Sequence, residues 1–393
     1  MFKNNKNLII IAIIAVVNAL GYGIIIPVLY SYSQKFGLTD FQNGLLFSIF
    51  SLCQFIATPV IGKLSDIYGR KPLLVISTAG TAISFFMMAF APGAIFLFIA
   101  RALDGITAGN IPVASAVISD TTKPEDRAKG FGIMGAAFGF GFIFGPAISA
   151  FTFRYGAHVP FIIAGSVSLL ATVLTVWLLP ETNQHMGVAK KGSVFDFRHL
   201  IHALVDPNVG TTLLVSFIYS LAFSMFIYGY QPLSVKVLGL TPVEISMNFT
   251  LIGFIGLIAQ AFVIPRVMKR VRDTLVFRNA LFVEMVTLLG FFFVTSYPML
   301  LVVSVFHAFA NAFINPLIQT LLSKEVDAHS QGAIQGVNSS YMSVGMIVGP
   351  IVGGALTTFS TPLPFFAASM ATLLCAALSM KILAKSHAKA AVL

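Results

Sequence analysis

The sequence predicts an all-α membrane protein in which twelve transmembrane helices form two pseudo-symmetric six-helix bundles. Three observations predict this fold class: the apolar composition, twelve apolar stretches of membrane-spanning length, and an internal repeat. Of the 393 residues, 57% are hydrophobic and only 10% are charged, and the mean hydropathy is +0.90. A soluble domain carries about 25% charged residues. We therefore expect lipid to be the solvent of this chain.

The positions of the spans follow from the length that a helix needs to cross a bilayer. The hydrocarbon layer is about 30 Å thick and a helix rises about 1.5 Å per residue, so a span needs about 20 apolar residues. Helices are favoured because the alternating pattern of membrane barrel strands is absent. Spans are predicted near 8–30, 43–62, 72–92, 94–119, 130–152, 158–179, 209–232, 245–265, 275–295, 298–322, 333–358 and 361–383.

The distribution of basic residues predicts the orientation of the spans. Only Lys35, Arg154 and Lys236 fall in loops opposite the termini, while the other lysines and arginines outside the spans fall on the same side as the termini. Cytoplasmic loops carry an excess of Lys and Arg, so both termini are predicted to be cytoplasmic. This placement also explains the net charge of +10 without a nucleic-acid partner.

An internal repeat predicts the two bundles. The stretch "GFIFGPAIS" around Pro146 matches "GMIVGPIVG" around Pro350, a shift of 204 residues. The same shift pairs Pro112 with Pro316, Ser119 with Ser323, Gly132 with Gly336 and Gly145 with Gly349. We predict bundles at 1–180 and 208–393, joined by a cytoplasmic linker at 181–207. Two parallel six-span repeats are typical of transporters whose substrate site lies near mid-membrane, where the repeats meet.

The stretch "GKLSDIYGRKP" concentrates charge at the joint between the second and third spans. Its glycines permit a tight turn, and its acid can accept hydrogen bonds from N–H groups at a helix N-terminus. The residue after the acid is Ile67, so the acid has no adjacent basic partner. We expect this joint to take part in conformational gating through Gly62, Asp66, Gly69, Arg70 and Lys71.

Paired glycines and prolines in the fifth and eleventh spans are further gating candidates. Small residues four positions apart let helices approach closely, and proline kinks a helix. Plain packing is the alternative interpretation for any single glycine. The residues are Gly141, Gly145, Pro146, Gly349 and Pro350.

Ionisable residues inside the spans are functional candidates, because a charge in lipid is costly. Arg101 and Asp104 lie three residues apart on the fourth span, so they can form an intramembrane charge pair. Glu284 on the ninth span and His307 on the tenth are candidate proton carriers. An unperturbed histidine titrates near pH 6.5, which suits proton coupling.

Amide and phenol groups on two spans are candidate substrate ligands. His307, Asn311 and Asn315 recur every four residues and form one polar stripe on the tenth span. Asn18 and Tyr22 are a matching pair on the first span. We expect Asn18, Tyr22, Asn311 and Asn315 to contact substrate or water. The alternative is hydrogen bonding between helices.

These motifs resemble those of a known family. The pattern G-x-L-x-D-x-x-G-R-K resembles the signature loop of the major facilitator superfamily, and "RALDG" resembles another motif of that family. The stretch "AFGFGFIFGP" resembles the fifth-helix motif of its drug–proton antiporter branch. The stretches "NALGYGIIIPVL", "ITAGNIPVASAVISDTT" and "QGAIQG" are similar to bacterial tetracycline exporters. The resemblance implies a functional monomer in the bacterial inner membrane, without cofactors. Asn18 stands where those exporters carry an acid, so tetracycline itself is not implied as the substrate.

Taken together, the sequence predicts a secondary transporter that exports small amphipathic drugs or metabolites against proton entry. A proton symporter or facilitator for a metabolite or siderophore remains an alternative, as does a membrane sensor or scaffold that does not transport. No phosphate-binding G-x-x-x-x-G-K-[ST] motif or catalytic triad supports a pump or an enzyme. Two cysteines cannot build a metal set. The substrate and the direction of transport stay open.

Overall fold

We analysed a computed structural model of the chain, which describes residues 2–122, 127–183, 203–326 and 330–392. Residues 184–202, which hold most of the predicted linker at 181–207, lie outside the described residues. Most of the described chain is helical. Its helices are α1 Phe2–Gln34, α2 Asp40–Tyr68, α3 Arg70–Ala89, α4 Ala94–Thr107, α5 Asn110–Thr121, α6 Arg127–Thr152, α7 Val159–Leu178, α8 Gly210–Pro232, α9 Pro242–Ile258, α10 Ile264–Met268, α11 Asp273–Phe292, α12 Tyr297–Glu325, α13 Gln331–Phe359 and α14 Leu363–Val392.

The twelve predicted spans are confirmed. Within the described residues, twelve helical stretches are long and apolar enough to cross a membrane, from Ile9–Gln34 to Leu363–Leu383. Three of them are irregular. The fourth is interrupted between α4 and α5, the seventh ends in a π-helical turn at Leu233–Val237, and the eighth contains another between α9 and α10. Such turns add a residue to the helix locally and are frequent at functional sites.

The chain packs as two compact units. The first unit comprises Met1–Thr39, Ile49–Phe195 and Thr241–Thr250. The second comprises Asp40–Ser48, Asp196–Leu240 and Leu251–Leu393. The bundle boundaries drawn from the repeat, 1–180 and 208–393, stay a prediction.

Contacts inside the second unit explain why it includes the first turns of α2. The Tyr228 hydroxyl donates to the Asp40 carbonyl at 2.5 Å, and Lys236 Nζ lies 2.7 Å from the Asp40 carboxylate. Ser48 Oγ donates to the Ile347 carbonyl at 2.6 Å. Gly44 leaves room for the Pro350 carbonyl, because a Cβ atom there would clash with that backbone oxygen.

The same pairs of spans pack together in each unit, which agrees with the repeat. In the first unit α1 lies against α6, and α3 lies against α7. In the second unit the equivalent spans pair as α8 with α13 and α11 with α14. A buried apolar cluster stabilises each unit, built on Ile14, Leu74 and Val117 in the first and on Leu213, Phe277 and Ile314 in the second. Burying such side chains is worth about 1.5–3 kcal/mol each.

Glycines set the distance between the paired helices. In the first unit, a Cβ atom on Gly145 would lie 2.7 Å from the Gly23 backbone, and one on Gly141 would clash with Ala19. In the second, a Cβ atom on Gly349 would lie 2.8 Å from the Leu221 carbonyl oxygen. The predicted close approach through small residues is therefore confirmed at these three glycines.

Candidate functional site

The joint between α2 and α3 is a single residue. The second span runs to Tyr68 and the third begins at Arg70, so only Gly69 connects them. Its φ of 104° is a left-handed conformation that glycine adopts without strain. The prediction of a turn at Gly62 is wrong, because this residue lies inside α2 and a Cβ atom there would have nothing within 4 Å.

Arg70 links two carboxylates at the joint. Its guanidinium lies 2.6 Å from Asp66 near the end of α2 and 3.1 Å from Asp120 at the end of α5. It also donates to Ser65 Oγ at 2.6 Å. The sequence suggested no adjacent basic partner for Asp66 because Ile67 follows it. Arg70 is that partner, and it reaches Asp66 across the Gly69 turn from the start of α3.

Glu181, rather than Asp66, caps the N-terminus of α3. Its carboxylate accepts the backbone N–H groups of Arg70 at 2.9 Å and Lys71 at 3.1 Å. Nearby, Asn183 Nδ2 donates to the Asp66 carbonyl at 2.9 Å, at the end of α2. The expectation that Asp66 caps the following helix is therefore wrong. The first residues after the sixth span are what fasten the joint.

Partial burial favours a raised pKa for Glu181, but four backbone N–H donors outweigh it and hold the pKa below its usual value. A carboxylate that accepts several N–H groups is stabilised in its ionised form. The positive end of the α3 dipole acts in the same direction. The donors are Asn183, Arg70, Lys71 and Thr182.

The predicted intramembrane charge pair is present in the first unit. Arg101 Nη1 lies 2.8 Å from Asp104 Oδ2, and the two side chains are only 5% and 6% exposed. The guanidinium also stacks over the Phe50 ring, 4.3 Å from its centroid. Arg101 Nε is buried without a hydrogen-bond partner among the described atoms. Aromatic stacking and the ion pair together offset part of the cost of burying this charge.

Asn18 is tied to the fourth span. Its amide exchanges two hydrogen bonds with Asn110, at 3.1 and 3.2 Å. Tyr22, one turn further along α1, packs edge-on against Phe142 with ring centroids 5.9 Å apart. Asn18 thus makes the interhelical hydrogen bonds that were the alternative to a substrate contact, and both side chains are half-buried.

Glu284 and His307, predicted separately as proton carriers, lie side by side in the second unit. Glu284 Oε2 is 3.2 Å from His307 Nδ1, and each side chain is 1% exposed. The two helices explain the meeting, since α11 ends at Phe292 and α12 begins at Tyr297 after a short turn. Glu284 lies about 12 Å before that turn and His307 about 15 Å after it, at 1.5 Å per residue. Two helices of a hairpin bring such residues to the same depth.

Aromatic rings enclose this pair. The His307 ring lies 4.0 Å from the centroid of Phe226 and 5.6 Å from that of Phe291. Phe365 stacks on Phe291 at 5.3 Å. The enclosure keeps the pair away from solvent in a region of low polarity, where an ionised group is stable only with a partner.

Tyr219 joins the stripe on α12 to the buried acid. Asn311 Nδ2 donates to the Tyr219 hydroxyl oxygen at 2.6 Å. That hydroxyl donates to Glu284 Oε1 at 3.5 Å. Along the predicted stripe, His307 is buried, whereas Asn311 and Asn315 are half-buried. The stripe therefore divides into one residue inside the unit and two nearer its surface.

Several residues of these clusters were not predicted from the sequence. Four residues were missed because nothing in their local sequence marks them and because these partners are 50 or more residues away: Tyr219, Asn110, Asp120 and Glu181. The spacing of residues along the sequence could have predicted that the two candidate proton carriers meet. Glu284 and His307 lie at similar distances from the turn between the ninth and tenth spans, which predicts that the two side chains meet.

The fold and these motifs define a transporter of the major facilitator class. The family model described as "Major Facilitator Superfamily" matches residues 11–285 and 212–392, which together cover nearly the whole chain. The chain belongs to this superfamily, and it is a multi-pass membrane protein.

Among its relatives are drug-resistance proteins. The chain is 31% identical to the class B tetracycline resistance protein of Escherichia coli over 274 residues, 67% of each chain. It is 36% identical to the class H tetracycline resistance protein of Pasteurella multocida over 183 residues, 46% of each chain. It is 29% identical to the quinolone resistance protein NorA of Staphylococcus aureus over 290 residues, 72% of this chain and 73% of that one.

Solved structures show the same fold. The human organic anion transporter MFSD10 superposes with a TM-score of 0.71 at 20% identity, over 96% of this chain and 99% of that one. The peptide transporter POT superposes with a TM-score of 0.78 at 14% identity, over 97% of this chain and 94% of that one. At these identities the likeness establishes the fold alone.

Proposed function

We propose that this protein is a proton-coupled secondary transporter that exports small amphipathic drugs or metabolites by alternating access. The related resistance proteins support this class of function. The single observation that carries the proposal is the pair of Glu284 and His307, buried at 3.2 Å inside a membrane helix bundle. Intramembrane ionisable pairs of this kind are typical of proton relays.

The chemistry of the pair suits a proton carrier. With one proton shared between them, the carboxyl and the imidazole are together neutral, whether the proton is on nitrogen or on oxygen. Gaining or losing one proton leaves a net charge in a region where an unpaired charge costs about 2.5–3.5 kcal/mol or more. Each change of protonation therefore favours a conformation that brings water or a countercharge to the pair. This is the coupling that an antiporter needs.

Roles for the other candidate residues follow from their positions. Asp66, Arg70 and Lys71 at the α2–α3 joint, with Gly69, form a gating element fastened by Glu181. The packed glycines Gly141, Gly145 and Gly349, with Pro146 and Pro350 inside their helices, are further gating positions. Arg101 and Asp104 form the second intramembrane charge pair. The half-buried Tyr22 and Asn315 are candidate substrate ligands, together with Asn18 and Asn311.

The proposal includes the setting in which the protein works. It places the chain in the bacterial inner membrane as a monomer with both termini in the cytoplasm. It retains bundles at 1–180 and 208–393 with a cytoplasmic linker at 181–207. The asymmetry of lysine and arginine between the two sides of the spans supports this orientation.

Reconstitution into liposomes tests the proposal. The protein is inserted into vesicles with an acidic lumen and a trapped pH-sensitive dye, and cationic dyes, tetracyclines, quinolones and metabolites are added in turn. We expect at least one compound to enter while the lumen becomes more alkaline, since protons leave in exchange. Protons that move in the same direction as the compound, or no proton movement with any compound, would overturn it. Empty vesicles report passive leak.

A further inference from the structure

We infer that Tyr219, oriented by Asn311, is a positioning residue that holds the Glu284 carboxyl against His307 and sets the pH at which the pair takes up its proton. This inference deepens the proposed function and rests on it for its meaning in transport. Its geometric basis is a continuous hydrogen-bonded path. The path runs from the half-buried Asn311 through the buried Tyr219 hydroxyl to Glu284.

The direction of the hydrogen bonds fixes the role of the phenol. A tyrosine hydroxyl has one proton to donate, whereas the amide nitrogen of Asn311 can only donate. Because Asn311 donates to the Tyr219 oxygen at 2.6 Å, the phenol proton is directed at its other polar neighbour, Glu284 Oε1. At 3.5 Å this second bond is weak. Such a bond holds the carboxyl in place while still allowing it to change its protonation state.

Each oxygen of the carboxyl therefore has one polar neighbour, and among the described residues only Oε1 accepts a hydrogen bond. Tyr219 faces Oε1 and His307 Nδ1 faces Oε2. The phenol stabilises the ionised carboxylate, because its proton faces the acid while its oxygen accepts from Asn311. When Glu284 takes up a proton, that proton adds to a carboxylate oxygen and Tyr219 keeps its own. No oxidant or further reactant is needed.

The first unit provides a comparison. Asn18 and Asn110 join its first helix to its fourth span, 92 residues apart, as Tyr219 and Asn311 do in the second unit, also 92 apart. The tie between these two spans is thus a feature of both halves. Only in the second unit does it carry a hydroxyl group that reaches a buried acid, among the described residues. Helix packing alone would need only the tie, so the contact of Tyr219 with Glu284 supports a positioning role for this residue.

Few ionisable side chains lie near Glu284. On the helices packed around α11 in the described part of the second unit, these groups are His307 on α12 and Tyr219 on α8, while the Cys375 thiol on α14 lies near Tyr219. The thiol donates to the Val215 carbonyl at 3.6 Å. The pH response of Glu284 therefore depends chiefly on its two direct neighbours.

Infrared spectroscopy of the carboxyl group tests the inference without requiring transport. The full-length protein in lipid is titrated with pH, and the C=O band that disappears in Glu284→Gln is assigned to the protonated acid. In Tyr219→Phe we expect the pH of half-protonation to rise by about one unit, about tenfold tighter proton binding, because the ionised form loses a donor. Asn311→Ala should move the midpoint in the same direction by less.

Tyr32→Phe is the matched control. This substitution removes another buried phenol hydroxyl, which donates to the Met88 carbonyl at 2.8 Å in the first unit. Its titration should match that of the unaltered protein. An unchanged midpoint in Tyr219→Phe, or in Asn311→Ala should the first variant not fold, would overturn the inference. If the midpoint rises in Tyr219→Phe as expected but the unaltered protein moves no protons in liposomes, only the proposed function is refuted.

Discussion

Asp120 and Lys324 occupy equivalent positions in the two repeats and carry opposite charges. The 204-residue shift that aligns Ser119 with Ser323 aligns these two residues as well. Asp120 pairs with Arg70 at the start of α3, and Lys324 pairs with Asp273 at the start of α11. Each half therefore fastens the end of its fourth span to the start of its third by an ion pair, with the signs exchanged.

The two ion pairs differ in exposure, which predicts different costs on removal. Arg70 is 12% exposed and serves two carboxylates, whereas Lys324 is 63% exposed. We expect Arg70→Ala to lower the free energy of unfolding by about 1–3 kcal/mol, because two partly buried carboxylates lose their partner. Lys324→Ala should cost at most about 1 kcal/mol. Thermal unfolding in detergent, followed by circular dichroism, measures both losses of stability. Equal losses in the two variants would contradict a stronger ion pair at Arg70.

The lowered pKa of Glu181 predicts that the stability of the protein depends on pH. Its pKa is lower in the folded state than in the unfolded chain, so its stabilisation is complete above about pH 4.3 and is lost as the pH falls through the folded-state value. Glu181→Gln should lose about 0.5 kcal/mol at pH 7, a modest amount since water screens this exposed carboxylate.

Unfolding of the Glu181→Gln variant and the unaltered protein is compared by urea titration at several pH values. The two curves should converge as the pH falls below 4. A constant difference across that range would show that the carboxylate charge is not what caps α3.

Close packing of α1 on α6 predicts which glycines tolerate a methyl group. Gly145→Ala would place Cβ 2.7 Å from the Gly23 backbone, so the helices must separate. Overpacking of this kind costs about 1–3 kcal/mol. Gly139→Ala is the control on the same helix, where a Cβ atom has nothing within 4 Å. It should be neutral or slightly stabilising, because alanine favours a helix over glycine. Equal melting temperatures for the two variants would contradict the packing.

The sequence predicted the parts of this structure that depend on local pattern. Span positions follow from hydropathy, and the Arg101–Asp104 pair follows from helical spacing. Residue partners across helices could not be read in the same way, because packing selects them. Asn18 was identified as polar, yet its partner Asn110 is 92 residues away. Gly62 was misplaced because its motif resembles a loop, whereas α2 continues through it to Tyr68.

We propose that Glu284 and His307 carry the transported proton, and one comparison of two transport modes tests this assignment. Uptake driven by a pH gradient is measured in liposomes beside substrate counterflow, which needs no net proton movement. Ser304→Ala, a buried polar substitution one turn before His307, is the control. We predict that Glu284→Gln and His307→Ala abolish gradient-driven uptake while counterflow and folding persist. Full gradient-driven uptake in both variants would show that neither residue carries the proton.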